Sequence, residues 1–281
     1  MEPTSATVAT RSRRPIGVFD SGMGGLSILQ ALRDELPAED VVYIADSGHA
    51  PYGERDAAHV LARSRIITKH LREHHDIRLL VVACNTATAL AIDALRLENP
   101  GFDIVGVEPA LKPAAALTRT GRVGVMATRG TLNSNRFQAL LASLGNQAEF
   151  LCQPCDGLAE AIEQHVHTDN TTKLIALCAQ HTGAIGLFGT EPGQVDTLVL
   201  GCTHYPFAQM YLRELTGPNV PFIATGEPVA RQTGRLLKAS AAAREMGASQ
   251  IIMGTTGQVA HLKAAASQWL NWQGQIDLLP I

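Results

Sequence analysis

Short apolar runs and longer amphipathic stretches alternate along this chain. The run at residues 16–19 predicts a buried β-strand, and Leu26, Leu29, Leu32 and Leu36 then lie at the spacing of one helix face. Further strands are predicted at 41–44, 79–83, 122–128, 195–201, 221–223 and 251–253, and further helices at 57–74, 85–97, 229–244 and up to Trp272. This alternation is typical of an α/β fold whose parallel strands are buried on both faces.

The second part of the chain repeats the pattern of the first. The segment at 122–128 resembles the first strand and its turn, and the segment that ends in Cys202 resembles the one that ends in Cys84. Each cysteine follows an apolar run and precedes a polar turn that contains threonine. We therefore predict two similar, pseudo-symmetric α/β domains with mostly parallel sheets, and an active site in the cleft between them.

Composition and charge narrow the class of protein. With 281 residues, 46% of them hydrophobic, the chain has ample material for a core, and a net charge of -3 favours neither nucleic acid nor a membrane as partner. Residues 1–15 lack the apolar core of a secretory signal, so we interpret them as a frayed extension. Five cysteines, an odd number, do not suggest a disulfide framework, and we expect a cytoplasmic protein.

The positions of Cys84 and Cys202 suggest chemistry. Ligands of doubly wound sheets bind at the carboxyl ends of strands, where helix N-termini offer free N–H groups to anions. A thiol at a helix N-terminus is shifted toward the thiolate. Two such thiols on facing halves would flank one small anion, so that one removes a proton from a carbon and the other delivers a proton to the opposite face. The pattern therefore predicts racemisation or epimerisation.

Other polar residues lie where such a reaction needs them. Asp20 and Ser21 end the first strand, and His204, two residues after Cys202, is a natural acid/base partner for that thiol. Neutral donors for carboxylates are supplied by Asn85, Thr86, Thr203 and the turn Pro51-Tyr52-Gly53. Neutral groups hold an anion without adding a competing base.

These motifs together resemble the glutamate racemase family, whose members make D-glutamate for bacterial peptidoglycan without a cofactor. The matching segments are residues 18–27 with Asp20-Ser21-Gly22-Met23-Gly24-Gly25, residues 43–46 with Pro51-Tyr52-Gly53, Ala83-Cys84-Asn85-Thr86-Ala87, Leu200-Gly201-Cys202-Thr203-His204-Tyr205-Pro206, and Gly254-Thr255-Thr256-Gly257. They run in family order from about residue 15 to 278. The resemblance therefore covers nearly the whole chain.

The resemblance implies a role for each matching position. Cys84 and Cys202 are the expected acid/bases on opposite faces of the α-carbon, acting on D- and L-glutamate respectively, with Asp20 and His204 assisting the first and the second thiol. The expected substrate contacts are Asp20, Ser21, Tyr52, Gly53, Asn85, Thr86, Thr203 and His204. The family also has a glutamate near the second cysteine. Its spacing from a Cys-Pro motif favours Glu163 over Glu160, although this chain has Cys155-Asp156 there.

The resemblance further implies an inserted domain and an assembly. The first domain is expected at residues 1–107, completed by 220–281, and the second at 108–219. A homodimer is expected, with glutamate as the small-molecule substrate and with neither a cofactor nor a metal.

Other functions remain open on the sequence alone. Aspartate racemase has a similar arrangement of two thiols, and a non-catalytic dicarboxylate-binding protein would use the same scaffold. Cys152, Cys155, Cys178 and His181 have spacings that a zinc site would accept. Against that site, Cys178 lies in an apolar helical stretch where core packing accounts for it.

Overall fold

The computed structural model describes residues 14–168, 171–239 and 249–281. Its ten strands are β1 (Ile16–Asp20), β2 (Val41–Ala45), β3 (Leu79–Val82), β4 (Asp103–Gly106), β5 (Arg122–Ala127), β6 (Glu149–Pro154), β7 (Thr197–Gly201), β8 (Phe222–Ile223), β9 (Ile251–Thr255) and β10 (Ile276–Leu278). They form two sheets, in which every described pairing is parallel. The predicted α/β class with parallel sheets is confirmed.

Eleven described α-helices cover these sheets. They are α1 (Leu26–Glu35), α2 (Ala57–His75), α3 (Asn85–Glu98), α4 (Leu111–Leu117), α5 (Arg129–Leu132), α6 (Asn135–Ala142), α7 (Leu158–His165), α8 (Thr171–Ile185), α9 (Gln209–Thr216), α10 (Gly226–Ala239) and α11 (Val259–Leu270). Short 3-10 helices lie at Ser47–His49, Tyr52–Glu54 and Tyr205–Ala208.

The first sheet has the strand order β10-β9-β2-β1-β3-β4. Strands β1, β2 and β3 are buried along their whole length, because helices cover both faces of the sheet. Along β3 the side chains alternate: Leu79 and Val81 join the core under α1, α10 and α11, while Leu80 and Val82 join the core under α2 and α3. This two-residue period fixes which residues at the strand end face the site.

The second sheet repeats the order of the first. Its order β6-β5-β7-β8 matches β2-β1-β3-β4, so β5 and β7 correspond to β1 and β3. In such a sheet the chain crosses from one face to the other between these two central strands, and ligands bind beside their carboxyl ends. Cys84 follows β3 and Cys202 follows β7. The repeat that the sequence indicated therefore places the two thiols at equivalent positions.

Several boundaries differ from the sequence-based expectation. Strands β4, β6 and β10 were not predicted, because they are short or rich in polar residues and carry no clear apolar run. The last helix ends at Leu270, before Trp272, since Asn271 adopts a left-handed conformation. Within the described residues α10 ends at Ala239; residues 240–244 of the predicted helix, and residues 1–13 of the predicted extension, lie outside them.

The division into domains stays a prediction. Strand β8 follows the expected boundary at 219 and pairs with β7 of the second sheet. The two sheets are joined by packing as well as by the chain, since the ring of Phe207 stacks on Trp269 of α11 at a centroid distance of 3.8 Å. Within the described ranges, no helix is long and apolar enough to cross a membrane.

A buried ion pair fixes the loop that follows β2. Asp46 is fully buried, and its carboxylate accepts two hydrogen bonds from the Arg63 guanidinium of α2, at 2.8 and 2.9 Å. The hydroxyls of Tyr52 and Thr256 donate to the same carboxylate at 2.5 and 2.8 Å. The loop is therefore held from three sides.

We expect Arg63→Ala to lower the free energy of unfolding by about 3–5 kcal/mol, because it leaves the Asp46 charge buried without its cation. Urea unfolding measures this loss. Arg65→Ala on the same helix is the matched control: its pair with Glu98 is exposed, and we expect a loss within about 1 kcal/mol. Equal losses in the two variants would contradict this account of Asp46.

Candidate active site

Cys84 caps the N-terminus of α3. Its Sγ accepts a hydrogen bond from the Ala87 N–H at 3.4 Å and lies 3.5 Å from the Ser21 Oγ, and the residue is 4% exposed. Burial, and then the negative charge of Asp20, raise the pKa of the Cys84 thiol despite these two bonds. The position of Cys84 at a helix N-terminus predicted a shift toward the thiolate. Burial outweighs that effect at Cys84.

Asp20 is the last residue of β1 and lies beside Cys84. It is fully buried, and its Oδ2 accepts the Gly25 N–H at 2.7 Å. Its Oδ1 bonds to no described residue. Burial raises the pKa of this carboxyl, while the positive charge of His204 and the Gly25 N–H act in the opposite direction. Asp20 is therefore held in place by the main chain of the turn after β1.

Cys202 belongs to a chain of three side chains. Its Sγ lies 3.6 Å from the Nδ1 of His204, and the Nε2 of His204 lies 2.7 Å from the Oε1 of Glu163 on α7. Burial alone would lower the pKa of His204, but the contacts with Cys202 and Glu163 raise it well above its usual range. For Glu163 burial favours the neutral form, yet the bond and charge of His204 lower its pKa. The geometry thus favours an imidazolium–carboxylate pair behind Cys202.

A cavity of about 210 Å³ brings the two thiols together. Ten of the predicted site residues line it: Ser21, Tyr52, Gly53, Cys84, Asn85, Thr86, Glu163, Cys202, Thr203 and His204. Asp20 does not line the cavity and lies behind its wall. The hydroxyl of Tyr52 is occupied by Asp46, which leaves the main chain of this turn for a ligand. On the cavity wall, the Oδ1 of Asn85 is buried and bonds to no described residue.

Several lining residues were not predicted as site residues. Thr128 follows β5 and lies opposite Thr86, with the two hydroxyl oxygens 2.9 Å apart, so it joins the walls contributed by the two sheets. Its position just after the counterpart of β1 was the signal that could have identified it. The others are Gly22, Ser47, Ala50, Pro51, Glu54, Cys155, Asp156, Gly157, Ala159 and Glu160.

The residues considered for zinc do not form one site. Cys155 and Cys178 lie in the core beneath α7 and α8, whereas Cys152 packs on the core under the opposite face of its sheet. Burial raises the pKa of Cys178 to about 12, and that of Cys152 to about 11. His181 contacts the main-chain oxygen of Asp156 at 3.2 Å. The part of the chain that the structure describes contains no group of three or more His, Cys, Asp or Glu suited to a metal ion.

Comparisons with known proteins show the family of this chain. The model of the Asp/Glu/Hydantoin racemase family matches residues 16–233. A glutamate racemase from Ectopseudomonas mendocina is 43% identical over 269 residues, covering 95% of this chain and 99% of the relative.

Two solved structures have a similar fold. The glutamate racemase isoform RacE1 from Bacillus anthracis has a TM-score of 0.84 and 30% identity, covering 95% of this chain and 98% of the other. The Escherichia coli glutamate racemase, in complex with L-glutamate and the activator UDP-MurNAc-ala, has a TM-score of 0.80 and 32% identity over the same shares of the two chains. The chain belongs to the Asp/Glu/Hydantoin racemase family.

Proposed function

We propose that this protein interconverts L- and D-glutamate by a two-thiol, two-base mechanism that needs no cofactor. The observation that carries the proposal is the pair of buried thiols, Cys84 and Cys202, at equivalent strand ends on the wall of one cavity. Relatives that cover nearly the whole chain are glutamate racemases, which supports glutamate as the substrate.

In the proposed reaction one thiolate removes the α-proton and the opposite thiol supplies another. The α-C–H bond breaks as an S–H bond forms, and the charge left on the α-carbon spreads into the α-carboxylate. The second thiol then protonates the other face, so thiol and thiolate have changed places after each turnover. Hydroxyl, side-chain amide and main-chain N–H groups on the cavity wall hold the two carboxylates. They belong to Ser21, Asn85, Thr86, Thr203 and, in the 51–53 turn, to Tyr52 and Gly53.

The two thiols have different auxiliary groups. His204, whose charge is favoured by Glu163, offers a positive charge to a thiolate at Cys202. Asp20 lies beside Cys84 and presents an unbonded oxygen. By family resemblance, Cys202 acts on L-glutamate and Cys84 on D-glutamate.

The cellular setting is also part of the proposal. D-glutamate made by such an enzyme supplies peptidoglycan synthesis, as the resemblance implies. All five cysteines are free, which supports a reducing compartment such as the cytoplasm. A homodimer is proposed from the family alone.

We expect purified protein in deuterated water to racemise L-glutamate and to replace its α-proton with deuterium, because the returning proton comes from a thiol that exchanges with solvent. Optical rotation and the NMR signal of the α-proton follow the two events. L-aspartate is the parallel substrate. Exchange of aspartate alone would favour aspartate racemase, and a bound dicarboxylate without exchange would favour a binding protein.

Cys84→Ala and Cys202→Ala should each lower the rate of racemisation at least about a thousandfold, since each removes one of two essential acid/bases. Cys152→Ala is the control: this cysteine packs on the core on the far face of its sheet, and we expect activity within about twofold of wild type. Circular dichroism verifies the fold. Near wild-type racemisation by either of the first two variants would exclude the two-thiol scheme.

Glu163→Gln should lower the pKa of His204, because it removes the carboxylate that favours the imidazolium. The ring of His204 then stays protonated over a narrower pH range. The kcat of the variant should therefore fall further below that of wild type as pH rises. A pH profile and the ring nitrogen NMR signals of His204 test this. Glu160→Gln is the matched control, since that carboxylate bonds to Gln164 and not to His204. A larger effect at Glu160 would reverse the assignment of the auxiliary glutamate.

A further inference from the structure

The turn before α1 joins the two halves of the site through its main chain. The N–H of Met23 donates to the Oε1 of Glu163 at 2.7 Å, and the N–H of Gly24 points at the Nε2 of His204 at 3.1 Å. Because Nε2 lies between a donor and an acceptor, it bonds to Glu163 when it carries a proton and to Gly24 when it does not. Two successive amides of the turn after β1 thus lie against the two groups behind Cys202.

The next amide of the same turn serves the other thiol. The N–H of Gly25 donates to the Oδ2 of Asp20 at 2.7 Å, and Asp20 is the carboxyl whose charge acts on Cys84. Residues 23–25 directly precede α1, where N–H groups lack acceptors within the helix and carry partial positive charge. Three consecutive amides therefore face three separate auxiliary side chains, namely those of Glu163, His204 and Asp20.

Lack of space, and not backbone conformation, explains the glycines. Neither Gly24 nor Gly25 has a positive φ, so another residue could adopt the same backbone. A Cβ on Gly24, however, would collide with the ring of His204, and a Cβ on Gly25 would lie 2.5 Å from the Cβ of Asp20. Each glycine allows one particular auxiliary side chain to approach the main chain.

We propose that the turn at residues 23–25 positions the auxiliary groups of both thiols at once, with Gly24 acting on the Cys202 side and Gly25 on the Cys84 side. The inference rests on the proposed two-thiol function. Both glycines are positioning residues, since they act through His204 and Asp20 and do not line the cavity. Because one turn carries both contacts, it also links the auxiliary groups of the two acid/bases.

The proposal predicts opposite asymmetries in two neighbouring variants. Gly24→Ala should slow proton transfer at Cys202 and lower kcat about tenfold or more. The α-deuterium isotope effect on kcat then rises for L-glutamate and falls toward one for D-glutamate, because only the first direction breaks the α-bond at the weakened side. Gly25→Ala should slow proton transfer at Cys84, so its isotope effect should rise for D-glutamate and fall toward one for L-glutamate. Gly183→Ala in α8, where a Cβ meets open space, is the matched control with wild-type kinetics.

A second set of measurements separates positioning from damage to the fold. Peptide mass spectrometry follows the alkylation of each thiol by iodoacetamide. In Gly24→Ala the rate of alkylation should change at Cys202 and stay at the wild-type value at Cys84. If Gly24→Ala does not fold, Ser27→Ala replaces it. The hydroxyl of Ser27 donates to the Thr203 oxygen at 2.8 Å, so its loss loosens the same junction without adding an atom. For Ser27→Ala we expect the isotope effects to change in the same directions as for Gly24→Ala, by smaller amounts.

The outcomes distinguish this inference from the proposed function. If wild-type protein does not exchange the α-proton of glutamate, the proposed function is wrong and the isotope effects have no basis. If wild type racemises but the two glycine variants change the isotope effects alike in both directions, or leave kcat unchanged, the turn does not position the two sides and the inference is wrong.

Discussion

The site depends on two sheets whose parallel strands end at one shared cavity. Strands β3 and β7 are buried over their full length, so the residue that follows each of them cannot shift without disturbing a core. Cys202 directly follows β7, and Cys84 follows β3 after one further residue, the fully buried Ala83. A reaction that needs two groups on opposite faces of one carbon requires this kind of fixed separation, which flexible loops would not supply.

Burial creates an electrostatic difficulty that the two halves meet in different ways. A buried thiol, like a buried carboxyl, resists ionisation, and the raised pKa values of Cys84 and Asp20 reflect this. On the other side His204 and Glu163 are held as an ion pair against the same burial. The two halves are alike in strand order, but the auxiliary group beside Cys84 is a carboxyl, whereas the one beside Cys202 is an imidazole paired with a carboxylate.

Much of this architecture could be predicted from the sequence, because buried parallel strands leave a continuous apolar run. The runs before Asp20, Cys84 and Cys202 gave the correct strands and so the correct ends. Strand β6 escaped prediction, since Glu149, Gln153 and Pro154 interrupt it at the sheet edge.

Features that arise from tertiary contact were beyond the sequence. Spacing favoured Glu163 over Glu160, but only the packing of α7 brings its carboxylate to His204. No local sequence pattern predicts that Asp20 lies behind the cavity wall. Nor does one predict that burial raises the pKa of Cys84 by more than the helix N-terminus lowers it. Thr128 follows a strand just as Ser21 does, yet its contact with Thr86 depends on how the two halves meet.

The stacked rings of Phe207 and Trp269 give the molecule an optical property. Trp269 is one of two tryptophans, and it packs against a residue only three positions beyond His204. A movement of Phe207 relative to α11 separates these rings and changes the surroundings of the indole. The intrinsic fluorescence of the unlabelled protein thus reports on the packing of the segment after Cys202 against α11.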